Sequence, residues 1–173
     1  MSSCLSSLFC WIYWHSNIIY TVAGAGLISR CNRKYFDKCY SLISNKDSFI
    51  LYNSYIPYDL AANLFKRAKI IVLPYTGASQ SGVVSIAYSF KKPVIAAISG
   101  LLPEQVENNV TGILVPPNDS RALAEAIIRL LKNEPLRKEM GLNGYRKLTE
   151  EASQEQYLDT IRDAYKEIIN ERH

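Results

Sequence analysis

Short runs rich in apolar and β-branched residues recur along this chain at residues 18–23, 49–52, 70–73, 93–96 and, more briefly, 113–115. Each is apolar at successive rather than alternate positions, which is the pattern of a strand buried on both faces. Helical segments lie between them at residues 34–44, at 59–67 with Leu60, Leu64 and Phe65 on one face, and at 81–90. Such alternation predicts an α/β fold: a single doubly wound parallel-sheet, Rossmann-like domain. Asp59 reads as the N-cap of its helix, because a carboxylate can accept from the unpaired amides of the first turn. The last third turns helical. Asp119 can cap a helix through Ala122, Leu123, Ala126, Ile127, Leu130 and Leu131, and Pro135 can open another near its first turn. A third helix is expected over 153–170, with Tyr157, Ile161, Ala164, Tyr165 and Ile168 as its apolar stripe.

A length of 173 residues, 48% of them hydrophobic and 21% charged, suits one soluble globular domain. The net charge of +4 arises from bases interleaved with acids, Lys132, Arg137, Lys138, Arg146 and Lys147 among Glu134, Glu139, Glu150 and Glu151. That arrangement describes a solvated helix face rather than a nucleic-acid groove, so no nucleic-acid partner is expected. Cys4, Cys10, Cys31 and Cys39 lack C-x-x-C spacing, and His15 and His173 stand at opposite ends of the sequence. No metal site and no disulfide framework is expected, and reduced thiols point to a cytoplasmic protein.

The opening differs from the rest. Residues 1–29 carry no Asp, Glu, Lys or Arg, and Leu8-Phe9-Cys10-Trp11-Ile12-Tyr13-Trp14 is strongly apolar. His15, Ser16 and Asn17 interrupt it well short of the roughly 20 apolar residues a membrane span needs. The positive start of a signal peptide is missing too, which leaves at most peripheral association with the inner face of a membrane. Residues 1–17 are therefore set apart from a domain over 18–173, either as a surface that another domain or chain covers or as a remnant of lost upstream sequence.

In an open parallel sheet, ligands bind beyond the carboxyl ends of the strands. Gly24-Ala25-Gly26 follows the first run and allows either a close backbone approach to a ligand or simply a tight turn. A nicotinamide fingerprint would need a third glycine where Ser29 stands and an acid where the second strand ends at Tyr52-Asn53. No strand end offers a phosphoacceptor Asp, and Ser81 has no evident His partner. The loop from Pro74 to Gly82 enters a helix start with many hydroxyl and amide donors, an arrangement that favours an anion such as phosphate, although capping by Ser79 or Ser81 would also account for it.

The stretch from Ile70 to Ala96, with Gly100-Leu-Leu-Pro-Glu104 and Thr111-Gly-Ile-Leu-Val-Pro-Pro117, resembles the nucleotide-sugar-binding domain of family 4 glycosyltransferases. The similarity covers residues 18–170 and is strongest over 68–131. It implies the C-terminal half of a GT-B fold with extra C-terminal helices. It also implies binding of a nucleotide-diphosphate sugar and retaining, metal-independent glycosyl transfer with no cofactor, in polysaccharide or glycoconjugate biosynthesis. Gly24 and Gly26 match the family's glycine turn, and Ile56 matches the position whose backbone meets the nucleobase. Thr76, Gly77, Gln80, Ser81 and Gly82 match the loop facing sugar and diphosphate, with Gly100 in the neighbouring loop. A larger side chain at Gly82 is expected to crowd the helix start and to weaken nucleotide binding more than folding. Glu104 resembles a family glutamate, or is a solvated carboxylate starting a helix.

The departures from the family are specific. Two family glutamates fall at Ala78 and Ile86, and the second of these usually bonds the ribose. The Arg and Lys that neutralise the leaving diphosphate come from a segment before the strand at 18–23, and residues 1–17 contain neither. Arg30, Arg33 and Lys34 lie near the first loop but in a different part of the pattern. The resemblance contains no acceptor-binding N-terminal domain. The expected protein is thus a donor-domain fragment or one half of a two-chain enzyme completed by a separate N-terminal glycosyltransferase domain. The alternative is a non-catalytic or vestigial nucleotide-binding domain.

Overall fold

A computed structural model describes residues 10–14, 19–23, 41, 45–52, 56–75 and 81–151. The strands are β1 Cys10–Trp14, β2 Ile19–Ala23, β3 Phe49–Tyr52, β4 Ile71–Leu73, β5 Val94–Ala97 and β6 Gly112–Val115. They form one sheet in the order β3-β2-β1-β4-β5-β6. The helices are α1 Tyr58–Arg67, α2 Gly82–Ser89, α3 Leu102–Gln105, α4 Ser120–Lys132 and α5 Glu134–Glu151. Ser41 is helical, whereas the rest of the helix expected at 34–44 and all of that at 153–170 lie outside the described residues.

The fold class is the expected α/β one, with one correction to the all-parallel sheet. Strands β2 and β3 pair in parallel, as do β4, β5 and β6, but β1 runs antiparallel to both β2 and β4. Chain length explains this. Trp14 pairs with Ile19, so only residues 15–18 connect the two strands, whereas a parallel crossover needs about a dozen or more residues. The apolar stretch set apart in the opening therefore supplies a strand to the middle of the sheet, with Trp11 opposite Val72 and Ile12 opposite Ile71.

Helices cover both faces of the β4–β6 half. On one face Ile71, Leu73, Val94 and Ala96 pack with Phe65 of α1, Val84, Ala87 and Tyr88 of α2, and Leu102 of α3. On the other, Ile70, Val72, Ile95, Ile113 and Val115 pack with Ala126 and Leu130 of α4 and Met140 of α5. Neighbouring residues point to opposite faces and both faces are dry, so the strands must be apolar throughout. Full burial of each such side chain is worth about 1.5–3 kcal/mol.

Helix ends follow local chemistry. Asp119 caps α4 as expected, its Oδ1 accepting from the Ala122 amide at 2.9 Å. Asp59 does not cap α1: Pro57 occupies the N-cap and Asp59 lies in the first turn, where its charge still complements the helix dipole. Arg137 of α5 is buried and donates through Nη1 to the carbonyls of Leu130 at 2.7 Å and Leu131 at 3.2 Å, closing the end of α4. Helix α5 lies tight on α2 because Gly144 faces the Tyr88 ring, where a Cβ would overlap it. Gly112 has the same cause, since a Cβ there would overlap the Val94 carbonyl beside it in the sheet.

Candidate functional site

The carboxyl ends of β4, β5 and β6 point to one edge of the domain, together with the starts of α1, α2 and α3. Sheet order reverses between β1 and β4, the crevice where such sheets take ligands. Of the residues expected at the site, the structure describes Ile56, Ser81, Gly82 and Gly100. Gly24, Gly26, Thr76, Gly77 and Gln80 lie outside the described residues.

Ile56 is half-buried just ahead of α1. Gly100 is exposed in the β5–α3 loop with φ 55°, a left-handed conformation that favours glycine. Ser81 and Gly82 stand where β4 delivers the chain to α2. Ser81 is the N-cap residue, yet its side chain forms no capping bond, and no acidic residue occupies the first turn. Its Oγ is buried and has no hydrogen-bond partner among the described residues. Gly82 is exposed, and a Cβ built on it meets nothing within 4 Å. Among the described residues nothing stands where a larger side chain at Gly82 would begin. Amides of a first helical turn have no partner within the helix, so those of Gly82 and Val83 are available to an anion.

A network that sequence reasoning missed holds this start in place. The Gln105 carboxamide meets the Ser81 main chain twice: its Oε1 accepts from the Ser81 amide at 3.1 Å and its Nε2 donates to the Ser81 carbonyl at 3.4 Å. The Tyr88 hydroxyl reaches the Gln105 carbonyl at 3.3 Å and the Thr111 Oγ1 at 2.7 Å. Thr111 Oγ1 in turn accepts from the Glu107 amide at 2.9 Å. One assignment satisfies every group: Glu107 N–H to Thr111, Thr111 O–H to Tyr88, and Tyr88 O–H to the Gln105 carbonyl. Lys147 of α5 adds an ion pair to Glu107 at 2.9 Å and donates to the Glu104 carbonyl at 3.3 Å. The Glu104 carboxylate is exposed in the first turn of α3. Sequence reasoning placed a helix at 81–90 but gave no signal for this network, because a buried tyrosine hydroxyl needs a partner that its own sequence neighbourhood does not name.

Ile86, where the family resemblance places a ribose-binding glutamate, is 45% exposed on α2 and has no polar group to offer. Among the described residues no group of His, Cys, Asp and Glu could hold a metal ion, and no helix is long and apolar enough to cross a membrane. At the opposite end of the sheet, burial and then the Arg137 guanidinium hold the Lys92 ammonium below the usual lysine range. Lys69 is lowered by the same two causes.

The family model described as glycosyl transferases group 1 matches residues 13–147, well over half of the chain. An uncharacterized glycosyltransferase of Methanocaldococcus jannaschii is 31% identical over 111 residues, which is 64% of this chain and 31% of that protein. A capsular polysaccharide biosynthesis glycosyltransferase of Staphylococcus aureus is 29% identical over 111 residues, 63% of this chain and 29% of its own length. The match spans between a fifth and a third of the length of the curated relatives. Among solved structures, Anabaena HepE in complex with UDP superposes with a TM-score of 0.66 at 19% identity, over 77% of this chain and 38% of that one. At that identity the likeness concerns the fold.

Proposed function

The chain belongs to the glycosyl transferases group 1 family, and from that membership we propose that it is the donor-binding domain of a glycosyltransferase, taking a nucleoside-diphosphate sugar. The observation that carries this reading is the start of α2: uncapped, open above Gly82, and ending in a Ser81 hydroxyl with no partner among the described residues. It lies at the carboxyl end of β4, inside the region matched to the family.

In this reading the diphosphate lies over the first turn of α2. The amides of Gly82 and Val83 donate to its oxygens, and the positive end of the helix dipole favours its charge. The charge grows as the sugar departs, and donors already fixed in place need no reorganisation at that moment. Gly100 lets the neighbouring loop approach the sugar, and the backbone at Ile56 meets the base. Transfer proceeds with retained anomeric configuration and without a metal, in the assembly of a polysaccharide or glycoconjugate at the cytoplasmic side. An N-terminal glycosyltransferase domain, supplied in another part of a longer chain or by a separate polypeptide, holds the acceptor.

Calorimetric titration with uridine, guanosine and adenosine diphosphates and their sugars tests the reading. One of them is expected to bind, with affinity unchanged by EDTA, and heat from none of them refutes donor binding. With the acceptor domain added, proton NMR of the product reports the anomeric configuration. One observation favours a non-catalytic, nucleotide-binding role instead: the isoleucine at position 86 offers a ribose no hydrogen bond. Binding without transfer in the completed assembly is the outcome that role predicts.

A further inference from the structure

We propose that Gln105 is a positioning residue of this site: by gripping the main chain of Ser81 it fixes where the first turn of α2 stands relative to the α3 loop, and so sets affinity for the diphosphate part of a ligand. The inference rests on the nucleotide-sugar reading above.

The two residues are 24 positions apart and belong to different loops, one after β4 and the other at the end of α3. A side-chain amide that both accepts from and donates to the same residue imitates one rung of a β ladder. It therefore fixes the orientation of the Ser81 peptide as well as its position. The grip also sorts the donors at the helix start. The Ser81 amide is occupied by Gln105 at 3.1 Å, and the Ser81 carbonyl accepts from both Val84 at 3.2 Å and Gln105 at 3.4 Å. What remains for an anion is the Gly82 and Val83 amides together with the Ser81 hydroxyl, which has no partner among the described residues.

The grip is braced from behind. Tyr88, on the last turn of the same helix whose start Gln105 holds, bonds the Gln105 carbonyl at 3.3 Å. Thr111, buried at the head of β6, holds Tyr88 at 2.7 Å. Lys147 reaches from α5 to the Glu104 carbonyl at 3.3 Å, one residue before Gln105. Helix α2 is therefore tied at both ends to the short segment that follows Gly100. An apolar residue at position 105 would fill the same space without this tie, so core packing alone does not explain the glutamine.

The test compares the 173-residue chain with Gln105→Met, which keeps the shape and removes both bonds, and Gln105→Glu, which keeps an acceptor for the Ser81 amide but adds negative charge beside an anion site. Ligands are the nucleoside diphosphate that the wild type holds best in the panel above and the parent nucleoside without phosphates. Gln105→Met is expected to weaken the diphosphate about fivefold to tenfold, the effect of one or two neutral hydrogen bonds, and to leave the nucleoside unchanged. Gln105→Glu is expected to weaken the diphosphate further still. Hydrogen exchange at the Ser81 amide is expected to accelerate in Gln105→Met. Equal loss for nucleoside and diphosphate would mean general loosening and would overturn the proposal, as would wild-type diphosphate affinity in Gln105→Met. A wild type that binds no nucleotide would fail the reading of the site itself, a result distinct from a wild type that binds and a variant that binds equally well.

Discussion

Replacing Gly82 by valine separates the helix start as a ligand site from the helix start as structure. A Cβ at this position meets nothing within 4 Å among the described residues, and the residue needs no left-handed φ, so the described structure presents no clash to the start of a new side chain. Valine is a better helix former than glycine by about 0.4 kcal/mol, which in a domain of this size raises Tm by roughly 1 °C. Binding behaves differently. The isopropyl group occupies the open space beside the Gly82 and Val83 amides, where the diphosphate is proposed to sit. Loss of one hydrogen bond to a charged oxygen costs about 1.5–3 kcal/mol, a weakening of roughly tenfold to 150-fold. Calorimetric titration of wild type, Gly82→Ala and Gly82→Val with the best-bound nucleoside diphosphate, beside thermal melts of each, reads both effects. Affinity is expected to fall in that order while Tm holds or rises by about a degree. A Gly82→Val protein that melts several degrees lower would refute the open-space geometry, and one that binds the diphosphate as wild type does would remove this turn from the site.

Three further outcomes follow from the packing. Gly144→Val drives a side chain into the Tyr88 ring; overpacking of this kind costs about 1–3 kcal/mol, measured by urea unfolding, and an unchanged midpoint would mean that α5 does not lie on α2 as described. Asp119→Ala removes the 2.9 Å cap on Ala122 and is expected to cost about 1 kcal/mol in the same assay, with Asp119→Asn restoring most of it. Lys92 has its pKa lowered from 10.5 by burial and by Arg137, so the unfolded chain binds its proton more readily than the folded one does. Stability from this group is lost as pH falls through the folded value and fully present above the unfolded one. The difference in unfolding free energy between wild type and Lys92→Met is therefore expected to grow in favour of wild type from pH 8 to pH 10, and a difference that is flat or shrinks over that range would contradict the assignment.

The runs at 18–23, 49–52, 70–73, 93–96 and 113–115 announced β2 to β6, and in β4 to β6 burial on both faces leaves little freedom in residue type. Asp119 announced α4 because its cap is local. Asp59 misled because any acid near a helix start looks alike in sequence, and only the backbone at Pro57 decides which residue precedes the first turn. The strand β1 was hidden for a different reason: its residues were legible as apolar, but strand direction depends on the length of the connection to β2 and on the vacant edge of β4, a non-local fact. The site was legible as far as glycines, hydroxyls and the helix start. The Gln105 network was not, because its partners are separated by 17 to 24 positions and no motif spacing encodes them.

The direction of β1 bears on where the cations for a diphosphate arise. Trp14 pairs with Ile19 and Cys10 with Ala23, so β1 ends beside the start of β2, at the end of the sheet away from the candidate site. Residues 1–9, which precede β1, carry no charged side chain. Strand β2, by contrast, ends at Ala23 on the ligand side, and the first bases after it in the chain are Arg30, Arg33 and Lys34. If this chain neutralises phosphate itself, these bases, next in sequence after β2, are the ones to test first. The double variant Arg30→Gln, Arg33→Gln is expected to weaken the nucleoside diphosphate about tenfold or more, the size of a charge-assisted bond, to leave the parent nucleoside unaffected and to flatten the salt dependence of binding. Unchanged affinity and salt dependence would show that Arg30 and Arg33 do not meet the diphosphate.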